Sequence, residues 1–211
     1  MVRRELTAVE RRSDAAVHLV GLGSVLLAVP ALVAVTALTR PEAAALWGVA
    51  VYGAALAAMI GFSALYNMTP GAALRWLWRR LDHSAIYVKI AGTYTPFTLM
   101  TGQGAALTLG LWSAAAVGVA FKLASPERFR WAALVLYLAM GWAGVVAGRT
   151  MIGALPDPVV ALMLAGGITY TVGIAFFLWH GLRHHIAIWH GFVLVASFLF
   201  YAAVLLTVLT G

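Results

Sequence analysis

Seven apolar runs, near residues 15–39, 44–68, 81–101, 105–122, 130–148, 158–181 and 186–210, constrain this chain more than any other feature. Each is close to the roughly 20 residues that cross a bilayer as a helix. Backbone N–H and C=O groups find no water in hydrocarbon, so runs this long must satisfy them internally, as helices. Composition points the same way: 63% of the 211 residues are hydrophobic and 10% are charged, against about 25% charged in a water-soluble domain. The expected fold is an all-α membrane protein, a seven-transmembrane-helix bundle over residues 15–211 behind a cytoplasmic N-terminal tail, residues 1–14. There are no cysteines, which excludes a disulfide framework and cysteine-ligated metal.

The net charge of +7 is topological rather than a footprint for nucleic acid. Arg3, Arg4, Arg11, Arg12, Arg75, Arg79, Arg80, Lys122, Arg128, Arg130 and Arg183 fall on one side of the seven-span arrangement. Only Arg40 and Arg149 fall on the other, and Lys89 lies within a span. Positive residues concentrate on the cytoplasmic side, so the N-terminus is expected in the cytoplasm and the C-terminus outside. The tail mixes Glu5, Glu10 and Asp14 among its arginines and precedes a long apolar run, unlike a cleaved signal peptide. It can be read as a short amphipathic surface helix with Leu6 and Val9 down, or as a solvated helix start. Trp76 and Trp78 between arginines read as an interfacial anchor.

Of the acidic residues, only Asp82 falls at the mouth of a run rather than in the tail or a turn. An ionisable group at membrane depth is costly and therefore a functional candidate; the alternative is a carboxylate favoured at a helix start. Ser63 and Asn67, four apart, share a face near the cytoplasmic end of the second helix. His190 lies about one turn inside the seventh. Lys89, seven residues beyond Asp82, sits two turns deeper on the same face, to neutralise a negative site or to snorkel. His83 is expected to point roughly 100° away from Asp82. Pro96 should kink its helix, with Thr93 and Thr95 re-satisfying freed carbonyls. Gly144 and Gly148 form a GxxxG for close packing.

Four stretches carry a family resemblance: AVHLVGLGSVLLA, SALYN, LDHSAIYVKIAGTYTPF and IAIWHGFVLVAS. Over about Ala15 to Val208 the chain resembles the hemolysin III family of bacterial membrane proteins, within the wider progestin and adipoQ receptor family. That resemblance implies seven helices and a zinc site near the cytoplasmic side. The site implied is a serine and a histidine four apart on the second helix, an aspartate on the third, and two histidines four apart on the seventh. Histidines ligate the zinc and the aspartate holds a water beside it; some relatives are ceramidases or are thought to cleave lipid amides. Carried over by position, Ser63, Asp82 and His190 match, but Asn67 stands at the second-helix histidine and Ile186 at the first seventh-helix histidine. An asparagine amide oxygen is a poor zinc donor. His185 could substitute if a π-bulge aligned it with His190, or His180 and His184 could reach in; otherwise these three form a turn facing headgroups.

Three functions follow as expectations for a protein of the bacterial inner membrane. The first is a metal-dependent, ceramidase-like hydrolase with Asp82 and Ser63 in catalysis and His190, with Asn67, at the metal. The second is a non-catalytic sensor or regulator that binds membrane lipid or a small molecule. The third, a pore-forming hemolysin, is disfavoured because a seven-helix bundle with a positive-inside bias looks like a resident protein, not one secreted to attack other cells.

Overall fold

The computed structural model describes residues 6–69, 71–124 and 130–210; Arg3, Arg4, Glu5 and Arg128, named above, lie outside the described residues. The described residues form eight helices: α1 (Ala8–Thr39), α2 (Ala43–Met68), α3 (Arg75–Thr101), α4 (Ala105–Ala124), α5 (Arg130–Ala147), α6 (Arg149–Gly153), α7 (Asp157–Leu178) and α8 (His185–Thr210). There is no strand among them. Five helices, α1, α2, α4, α7 and α8, are long and apolar enough to cross a membrane. Helix α3 is 27 residues long but carries the polar stretch around Asp82 and Lys89. Helix α5 is interrupted at Gly148, and α6 makes the turn towards α7.

Helix α1 begins earlier than the apolar run. Thr7 caps it with a capping box: its hydroxyl accepts from the Glu10 N–H (3.3 Å), and the Glu10 carboxylate accepts from the Thr7 N–H (2.9 Å). These reciprocal bonds satisfy donors that a helix start leaves free. The helix then runs unbroken for 32 residues, so residues 8–14 belong to the same helix as the first apolar run.

Helix α3 is the centre of the bundle, touching α2, α4, α5, α6 and α8. Its segment from Ala91 to Thr98 is buried throughout. The helix continues through Pro96. Thr93, Thr95 and Thr98 bond the carbonyls of Lys89, Ala91, Tyr94 and Thr95. None of these is the Gly92 carbonyl that the proline leaves free, so the expected repair by threonine is not the one made. The core is built from Leu32, Tyr52, Tyr87, Phe97 and Met151. Outward faces are apolar too, with Leu27 77% and Leu38 85% exposed. Large exposed aliphatics of this kind suit a lipid solvent.

Close approach decides two small-residue positions. A Cβ on Gly118 of α4 would lie 2.4 Å from the Tyr87 ring of α3. Gly144 of α5 faces Tyr94 in the same way, at 2.6 Å, and its N–H donates to the Tyr94 hydroxyl (3.2 Å). Of the GxxxG pair, Gly144 is thus a packing residue, while Gly148 marks the break between α5 and α6.

Candidate metal centre and cavity

A stripe on α1 builds the site. Glu10, Asp14 and His18, four residues apart, are all buried, and this spacing puts them on one face of the helix. The Glu10 carboxylate accepts from the His184 N–H (3.1 Å), in the turn that leads into α8. His184 has a left-handed backbone (φ 61°). This bond ties the start of α1 to the start of α8 and sets the depth at which their side chains meet.

One turn further on, Asp14 meets His190 of α8, with Oδ1 2.5 Å from Nδ1. The next turn brings His18, whose ring stands edge-on to His190 with centroids 4.5 Å apart. His18 Nδ1 lies 2.8 Å from the Asp14 carbonyl, which can only accept, so Nδ1 carries the proton. In the neutral ring Nε2 is then the acceptor, and it lies 3.1 Å from the Ser63 hydroxyl of α2. One donor atom from each of Asp14, His18 and His190 lies within 4.8 Å of the others. Two imidazoles and a carboxylate are a donor set able to hold a divalent metal.

The remaining expected residues divide. Ser63 and His190 meet through His18. Asn67 turns its amide nitrogen back to the Ser63 carbonyl (2.9 Å) and lines the cavity beside Ile186. Asp82 also lines the cavity, but it is outside the three-residue donor group. Its Oδ2 lies 3.0 Å from His83 Nδ1, so the two side chains converge where helix geometry alone has them diverge. His83 in turn stands edge-on to Tyr66, and its carbonyl accepts from the Tyr137 hydroxyl (3.1 Å). Helix α8 is α-helical from His185 onward, so no π-bulge aligns His185 with His190. His185 lies instead near His180, with the ring centroids 5.6 Å apart and the planes tilted by 50°.

Sequence reasoning missed Asp14 and His18. The signal was present: Thr7 and Glu10 form a capping-box pattern, which moves the helix start ahead of Asp14. The stripe Glu10, Asp14, His18 then runs straight into the apolar segment.

Beside this cluster lies a cavity of about 400 Å³, within the range of small-molecule sites. Its polar end holds His18, Ser63, Asn67, Asp82 and His190; Lys89 is deeper, and most of the remaining wall is apolar or aromatic. Helices α5 and α7 touch only sparsely along its side. A hydrogen bond from Trp142 Nε1 to Thr171 Oγ1 (3.2 Å), on the exposed surface, spans the two.

Comparison with known proteins sets the family. Residues 9–201 match the family described as Haemolysin-III related. The chain is 38% identical to Hemolysin-3 of Bacillus cereus, over 99% of this chain and 96% of that protein. It is 36% identical to the Hemolysin-3 homolog of Bacillus subtilis (strain 168), over 90% and 91%. A more distant likeness, 27% over 73% and 67%, is to the Monocyte to macrophage differentiation factor of Homo sapiens. No solved structure matches. With helices of this length and apolarity, the chain is a multi-pass membrane protein and belongs to the haemolysin III family.

Proposed function

We propose that this protein is a metal-dependent hydrolase of membrane amphiphiles, acting in the cytoplasmic membrane with seven crossing helices and a cytoplasmic N-terminus. One observation carries the reading: Asp14, His18 and His190 converge at the polar end of an otherwise largely apolar cavity. The arrangement suits an amphiphile whose polar linkage meets the cluster while its chain lies along the cavity. Asp14, His18 and His190 would hold zinc, a ligand set unlike the one the family resemblance implies. Zinc supplies Lewis-acid polarisation of a carbonyl and activation of water near neutral pH.

The chain's own residues supply the rest. Asp14 accepts from His190 Nδ1 and fixes that ring, leaving Nε2 as its donor atom. The Asp14 carbonyl fixes the His18 tautomer in the same way. Ser63 is a hydroxyl donor at the cavity wall, and Asp82 is a carboxylate able to accept a proton there. A lipid amide is the substrate class that the resemblance favours.

The second reading is a binding protein without catalysis. It is favoured by Asn67 and Ile186 at expected ligand positions and by the internal hydrogen bonds that already join Asp14, His18 and His190. The deciding experiment is elemental analysis of the purified protein, with hydrolysis of a short-chain N-acyl sphingoid base measured alongside. Zinc near one per chain, lost together with hydrolysis in His18→Ala and His190→Ala, is expected. Metal-free protein that neither binds added zinc nor hydrolyses the amide would leave the binding reading in place.

A further inference from the structure

Among the described residues that line the cavity, Lys89 is a charged group at its deeper end that neither the fold nor the cluster accounts for. It is 3% exposed and does not snorkel. Its Nζ donates to Thr93 Oγ1 (2.7 Å), and Thr93 Oγ1 donates in turn to the Lys89 carbonyl (2.7 Å). The ring faces of Tyr52 and Phe200 flank it at 5.1 and 5.4 Å. Those faces offset part of the burial of an ammonium, but they supply no counter-charge. An ammonium has three donors, and among the described residues only Thr93 receives one. The nearby carboxylates face other groups: Asp82 Oδ2 lies 3.0 Å from His83 Nδ1, Asp14 accepts from His190, and Glu10 accepts from Thr7 and His184. Asp82 is seven residues away on α3, about 10 Å along the axis.

A lysine that lines a cavity at membrane depth with unused donors is an anion receptor awaiting its anion. We propose that Lys89 binds the anionic head, a carboxylate or a phosphate monoester, of a single-chain amphiphile seated in this cavity. The size of the space suits one chain rather than a diacyl lipid. The aromatic and aliphatic walls take the chain, and the sparse contact between α5 and α7 gives it a lateral way in from the bilayer. Cations are repelled, and an uncharged head such as a hydroxyl offers the ammonium an acceptor but no counter-charge. The proposal rests on the cavity's taking amphiphiles, as above, but needs neither the metal nor hydrolysis.

The test is equilibrium binding to the full chain in phosphatidylcholine nanodiscs, corrected for empty discs. The probes are palmitate, hexadecyl phosphate and uncharged hexadecanol. At least one anion should bind about tenfold or more tightly than hexadecanol, as a charge-assisted contact implies. The tighter of the two identifies the head. Lys89→Met and Lys89→Gln should erase the preference and leave hexadecanol unchanged, whereas Lys89→Arg should keep it. His190→Ala, which tests the hydrolase reading, should also keep it. The proposal is overturned if the native chain shows no anion preference, or if both uncharged variants retain it. It is also overturned if the preference disappears with His190→Ala, because the anion then belongs to the cluster.

Discussion

A single aspartate changes the chemistry available to this chain. Asp14 sits where α1 enters the bundle and meets His190 and the carbonyl-anchored His18. A reading that starts the helix at the first apolar residue leaves it in the tail. Lys89 is the opposite case: visible in the sequence, but with its partners hidden. It meets Thr93, Tyr52 and Phe200 rather than a carboxylate or the headgroups. Burying a charge without a counter-charge lowers stability, and apolar replacement of buried ionic groups often gains about 1–4 kcal/mol. Lys89→Met is therefore expected to raise the thermal midpoint of the ligand-free protein, read by a thermal shift in detergent. A lower midpoint would mean that the ammonium has a structural partner and is not held for a ligand.

At the scale of elements, the site depends on how α1 meets α8. Glu10 joins them by capping α1 and accepting from the His184 N–H, and it is 1% exposed. Glu10→Ala removes the carboxylate that accepts from Thr7 and His184 in two part-buried hydrogen bonds, each worth on the order of 1 kcal/mol net. Amide exchange in the turn before α8 should accelerate, and zinc content should fall although no proposed ligand is altered. Unchanged exchange there would show that α1 and α8 are registered by other contacts. The α3–α4 pair depends on a different device, the bare face of Gly118 against Tyr87. Gly118→Leu should lower the thermal midpoint and the yield of monodisperse protein, because a rigid ring at 2.4 Å cannot yield without moving α3.

For the molecule as a whole, the family positions and the observed cluster offer two ways to furnish one cavity. Restoring imidazoles with Asn67→His and Ile186→His adds donors on α2 and α8 at the cavity wall. Zinc affinity should rise in this double variant and persist when His18→Ala is added, whereas His18→Ala alone should abolish it. Metal titration of the purified proteins reads this directly; loss of zinc in the triple variant would mean that His18 is needed in either ligand set. The amino-acid sequence by itself determined an all-helical chain, the spacing of its long helices and its membrane solvent. These follow from uninterrupted apolar length, which local backbone satisfaction in lipid converts into helix. It also singled out Ser63, Asp82, Lys89 and His190, because polar residues among apolar ones stand out. Only the tertiary structure decided which of them meet. Asp14 and His190 are 176 positions apart, and His18 and Ser63 are 45 apart. The depth and rotation at which α1, α2 and α8 pack are set by side-chain contacts along their whole length, and no local pattern encodes them.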